Sequence, residues 1–102
     1  MAKKPKQLDP IHPGEILAEE LMKPLRLSIN AVARDLHVPS GRVRGIVRGQ
    51  RPVTAEMALR LAAYFGTSVE LWLNLQTKYD LCQARRIFGP EIERTVRKRP
   101  AA

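Results

Sequence analysis

Between Asp35 and Glu56 the chain has no acidic residue, yet Arg42, Arg44, Arg48 and Arg51 all fall in that interval. A guanidinium stays charged at any working pH and presents a planar fork of donors. That fork suits phosphate oxygens, or the O6 and N7 atoms of guanine taken together. Ser40 adds a hydroxyl at the start of the same stretch. If residues 40–48 are helical, Val43, Ile46 and Val47 lie on one side. Ser40, Gly41, Arg44, Gly45 and Arg48 lie opposite them, with Arg42 at the flank. An apolar inner face under a basic outer face is the pattern of a helix that enters a DNA groove.

The totals agree with a polyanion partner. Lys plus Arg number 18 against 10 Asp plus Glu, a formal charge of +8. The total alone also fits a merely soluble basic surface, so it is the clustering of the arginines that argues for nucleic acid. Other chemistry finds little support. His12, His37 and Cys82 are scattered, without a close pair of metal ligands. No nucleophile–base set, supported carboxylate pair or phosphate-cradling loop emerges, so no enzyme activity, metal or cofactor is expected. His12 with Glu15 reads either as a catalytic or metal pair or as helix capping; with no further partner at a plausible spacing, capping is preferred.

Elements must hold those arginines. Ser28 precedes Ile29, Val32, Ala33 and Leu36, spaced i, i+3, i+4, i+7, which predicts a capped amphipathic helix. A break at His37–Pro39 then leads to the helix over 40–48, closed by Gly49. Two short helices about a tight turn form a helix-turn-helix. Upstream, Pro13 suits a first helical position. Leu17, Ala18, Leu21, Met22 and Leu25 predict a buried face, and Pro24 predicts that regular helix stops near Lys23. Downstream, Thr54 caps a helix with Ala58, Leu61, Ala62 and Phe65 inward and Gly66 at its end. Ser68 caps another, over roughly 69–85.

That last helix carries more apolar residues than one stripe needs. Leu71, Trp72, Leu75 and Tyr79 are the expected dimer contacts, on the argument that a helix apolar on two sides buries both. Trp72 could also stack on a ligand, though a core or interface role is commoner. Phe88-Gly89-Pro90 predicts a break, followed by one further short helix. The expected organisation is a flexible arm over 1–10, the DNA-binding and dimerisation domain over 11–85, and a short helix with a basic tail over 86–102. With one cysteine no disulfide forms within the chain. No apolar run approaches the roughly 20 residues of a membrane span. The basic N-terminus lacks the apolar stretch of a signal peptide, so a cytoplasmic location with no membrane partner is expected.

These residues resemble a known family. Val32-Ala33, His37–Val38, Val43, Ile46 and Gly49-Gln50-Arg51 match the helix-turn-helix of the Cro/C1 repressor class. H-P-G-E-I-L at His12–Leu17, T-A-E-M-A-L-R-L-A at Thr54–Ala62, F-G-T-S at Phe65–Ser68 and W-L-N-L-Q-x-x-Y-D-L at Trp72–Leu81 are similar to HigA-type antitoxins. The similarity spans about residues 11 to 85. It implies an all-α, five-helix repressor domain that dimerises through its C-terminal helices and binds double-stranded operator DNA in its own promoter. It also implies a HigB toxin partner, an mRNA endonuclease of the RelE superfamily. Three positions depart from the class. Ile29 stands where glutamine is common, His37 where glycine is common, and Pro39 at the cap of the recognition helix. A repressor without a toxin, or an interaction module that has lost DNA binding, therefore remain alternatives. On the leading reading Arg44 contacts a base, Arg42 a base or a phosphate, and Ser40 can bond either. Arg48, Arg51 and Ser28 hold phosphates, and Gly41 and Gly45 either permit close approach or simply lower helix stability.

Overall fold

The computed structural model describes residues 10–101, which form five helices and no strand. Most of the arm expected over residues 1–10 lies outside them. Helix α1 is one continuous run over 13–25, made of an α-helical turn Pro13–Ile16, a π-helical stretch Leu17–Met22 and a last turn Lys23–Leu25. Helices α2 (Ile29–Leu36) and α3 (Ser40–Val47) follow, then α4 (Ala55–Phe65) and α5 (Val69–Thr95).

Side-chain caps set four of the starts. The hydroxyls of Ser28, Thr54 and Ser68 accept from the backbone N–H of Ala31, Met57 and Leu71 at 3.0, 3.2 and 3.0 Å. His12 caps α1 in the same way, its Nδ1 accepting from the Gly14 N–H at 2.9 Å. Each removes one orphan donor of a first turn. Three C-termini turn in left-handed residues: Arg26 (φ 57°), His37 (φ 61°) and Gly66 (φ 76°). His37 thus takes the positive φ that its place in the turn demands.

The core lies where α1 to α5 meet. Leu17, Val32, Val43, Ile46, Met57, Leu61 and Trp72 are essentially without solvent contact. Burying a side chain of this size stabilises by roughly 1.5–3 kcal/mol. The Trp72 indole N–H donates to Thr67 Oγ1 at 2.8 Å, so its polar atom is satisfied inside.

Three expectations need correction. The first helix takes Pro24 inside it and runs two residues past Lys23, to Leu25. An α-helical Pro24 would drive its ring into the carbonyl of Glu20. The preceding turns are wider instead, and the Lys23 N–H bonds the Ala18 carbonyl five residues back. That widening opens room for the ring. It also rotates later positions off the α-helical stripe, which accounts for Leu25 being exposed. Secondly, Phe88-Gly89-Pro90 is not a break: α5 continues to Thr95 with Pro90 inside it, and no separate short helix follows. This end of α5 is exposed, so water can take the carbonyl that the missing N–H leaves free. Thirdly, Trp72 is no dimer contact, because it is wholly enclosed by the chain's own core.

Candidate nucleic-acid interface

Helix α3 is seated by Val43 and Ile46, 0% and 1% exposed, and this seat decides which residues face outward. Ser40, Gly41, Arg44 and Arg48, at i, i+1, i+4 and i+8, form the outer stripe. Gly41 and Arg48 are exposed, while Ser40 and Arg44 are half-buried. No side-chain cap closes the start of α3 at Pro39.

The three-residue turn His37–Pro39 holds α2 against α3. Val38 N–H bonds the Ala33 carbonyl at 3.0 Å, and His37 N–H the Arg34 carbonyl at 3.2 Å. Arg60 of α4 adds a clamp, donating to the Leu36 carbonyl at 2.7 Å. Gly14 sets how close α1 comes to α3: a Cβ there would lie 1.7 Å from the Ile46 carbonyl oxygen. The two backbones touch, and only glycine fits between them.

Arg42 points away from the stripe. Its guanidinium lies 3.4 Å from Glu56 of α4, and Glu56 also accepts two bonds from Arg60 at 3.0 and 2.9 Å. The Arg60 bond, then the nearby charge of Arg42, holds the Glu56 carboxyl below its ordinary pKa. Glu56 is exposed, and water and salt screen an exposed ion pair, so a phosphate can displace this tether. Arg44 and Arg48 have no such partner among the described residues. Gly45 does not belong to the open face. It is buried, because the Arg51 side chain lies across it.

Arg51 sits on an exposed loop whose backbone is held at several points. Gly49 N–H bonds the Ile46 carbonyl at 3.0 Å. Gln50 and Arg51 N–H groups both donate to the Gly45 carbonyl, at 2.8 and 3.1 Å. Gln76 of α5 accepts from the Val53 N–H at 2.7 Å and donates to Asp80 at 2.9 Å. His12 packs edge-on against Tyr79, ring centroids 4.8 Å apart. Burial lowers the His12 pKa, against the opposing charge of Asp80 and the nearby Arg51 backbone. Ser28 uses a lone pair for its cap and keeps a hydroxyl hydrogen to donate.

Sequence reasoning missed Gln76, Arg60 and the reach of His12. A signal for Gln76 was present, since it lies four residues after Trp72 and so on the inward face of α5. Of the expected dimer contacts, Leu71 is exposed, Leu75 packs partly on the core, and Tyr79 is half-buried beside His12. Further exposed apolar side chains of α5 lie beyond Tyr79, at Leu81, Ile87, Phe88 and Ile92.

A family model described as helix-turn-helix matches residues 19–72, the span from the middle of α1 to Trp72. A solved HigA-family addiction module antidote protein from Coxiella burnetii is 49% identical. It superposes with a TM-score of 0.84, covering 90% of this chain and 100% of that one. This chain belongs to the HigA-type helix-turn-helix family. The Pseudomonas aeruginosa antitoxin HigA, solved with the higBA promoter, is 45% identical at a TM-score of 0.84, over 86% of this chain and 96% of that one. Virulence-associated protein I of Dichelobacter nodosus is 52% identical over 78% of this chain and 74% of its own length. Within the matched span α2 and α3 are the two helices of the helix-turn-helix, and the stripe Ser40–Gly41–Arg44–Arg48 is the outward face of the second. The family is one of regulators and antitoxins rather than of enzymes. No helix among the described residues is long and apolar enough to cross a membrane.

Proposed function

We propose that this HigA-type chain is a sequence-specific transcriptional repressor that binds operator DNA in its own promoter and serves as the antitoxin of a HigB-like mRNA endonuclease. The observation that carries the DNA reading is the geometry of α3. Its apolar side is sunk in the core, and its outer stripe presents Arg44 and Arg48 with no ion pair among the described residues. In the major groove Arg44 is placed to bond guanine O6 and N7, while Ser40 reaches base or phosphate. Arg48, Arg51 and the Ser28 hydroxyl hold phosphates on either side. Arg42 exchanges Glu56 for a phosphate or base. Gly41, with nothing within 4 Å of its missing side chain, lets the helix approach the duplex closely.

Two copies are needed for tight binding, since one helix reads few base pairs. A two-fold dimer sets its recognition helices about 34 Å apart, matching half-sites one turn apart in an inverted repeat. Leu71, together with Leu81, Phe88 and Ile92 on α5, supplies apolar surface for that dimer. Kinship with HigA antitoxins supports the toxin reading, and on this reading the protein works in the cytoplasm, on the nucleoid when DNA-bound.

A mobility-shift titration with the gene's own upstream DNA tests the repressor role. Arg44→Ala is expected to cost about 1–3 kcal/mol and to relax preference at one base position. An equal loss on every sequence would make Arg44 a phosphate contact. Co-expression with the toxin-like product of a neighbouring reading frame tests the antitoxin role: unrelieved growth arrest, with no complex recovered, refutes it.

A further inference from the structure

Helix α3 holds two glycines one turn apart, and their surroundings differ. A Cβ on Gly41 would meet nothing within 4 Å. A Cβ on Gly45 would stand 2.7 Å from Cδ, 2.8 Å from Cγ and 3.2 Å from Nε of Arg51. The stem of Arg51 therefore lies directly on the Gly45 backbone. The main chain of Arg51 is fixed beside it, through its N–H on the Gly45 carbonyl at 3.1 Å. Two residues on, Gln76 accepts from the Val53 N–H at 2.7 Å and ties the loop to α5.

An arginine carries several free torsions, and ordering them on binding costs affinity. Here the first part of the side chain is seated before any ligand arrives. We infer that Gly45 is a positioning residue: its missing side chain is the seat that aims the Arg51 guanidinium at a DNA phosphate beside the open stripe of α3. This rests on the DNA-binding reading above. It gives Gly45 a role through Arg51, because a buried glycine offers the duplex no surface of its own.

The two glycines therefore respond differently to added bulk. The atoms that a methyl at 45 would displace belong to a flexible side chain, not to the backbone. Alanine also favours helix over glycine. Gly45→Ala thus keeps the fold, with a melting temperature at or above that of the unaltered protein, while pushing Arg51 off its seat.

The test measures operator Kd against salt concentration for the unaltered chain, Arg51→Ala, Gly45→Ala and the double variant, with melting curves for each. Each single variant is expected to weaken binding about ten-fold, as for loss of one charge-assisted hydrogen bond. Each also flattens the slope of log K on log salt by about 0.9, one phosphate's worth. The double variant binds no worse than Arg51→Ala. Losses that add, an unchanged slope in Gly45→Ala, or a lowered melting temperature overturn the role. Binding by the unaltered chain that Gly45→Ala leaves intact overturns this role alone. Failure of the unaltered chain to bind its upstream DNA overturns the DNA reading, and this role with it.

Discussion

Gly14→Ala probes the joint on which the recognition helix rests. The added Cβ would fall 1.7 Å from the Ile46 carbonyl oxygen and 2.6 Å from its carbon. Ordinary contact begins near 3.4 Å, so the two backbones must part by about 1.7 Å. Both sides of the contact are main chain, and no rotamer change relieves it. Parting them pulls on the Gly14 N–H bond to His12, and on the Ile46 carbonyl that accepts from Gly49. Overpacking in a core costs typically 1–3 kcal/mol, and a backbone clash belongs at the upper end, about 3 kcal/mol. At about 4–8 °C per kcal/mol for a domain of this size, the melting temperature falls by about 12–24 °C. Gly41→Ala is the matched control. It meets nothing within 4 Å and gains up to ~1 kcal/mol of helix preference. Thermal and urea melts of both variants decide the matter. A Gly14→Ala protein within about 0.5 kcal/mol of the unaltered chain would show that α1 and α3 are not held by backbone contact.

Two further changes test the supports of the arginine loop. Gln76→Leu keeps the bulk but leaves the Val53 N–H without its acceptor, so a loss of about 1–3 kcal/mol in urea unfolding is expected; an unchanged midpoint would mean that the bond adds nothing. His12 has its pKa held below 6.5 by burial, so below pH 6.5 the unfolded chain takes up the proton first. Its stabilising contribution is full above pH 6.5 and falls as pH drops towards the folded-state pKa. His12→Asn, a cap that does not titrate, is expected to flatten the melting-temperature profile between pH 7.5 and 5 relative to the unaltered chain, and parallel profiles would refute the assignment.

What the sequence by itself determined is local. The helix starts at Ser28, Thr54 and Ser68 were legible because a hydroxyl reaches an N–H three residues on in any context. The positive φ at His37 and the glycine end at Gly66 follow from turn stereochemistry, and the faces of α2 and α4 from the 3.6-residue period. The outer stripe of Ser40, Arg44 and Arg48 was legible for the same reason. Packing between elements distant in the chain decided the rest. Arg42 turns to Glu56 fourteen residues on, and Arg51 crosses back over Gly45 to bury a position that the helical wheel left open. Trp72 enters the chain's own core, because α5 meets α4 and α1 on the side that carries it. Pro24 and Pro90 signal helix stops in the sequence, because a proline forfeits one hydrogen bond and crowds one carbonyl. Whether a helix ends there depends on what surrounds it: a widened turn accommodates the first, and exposure to solvent tolerates the second. Periodicity tells which way a side chain points from its own helix, and the tertiary structure alone decides what it meets.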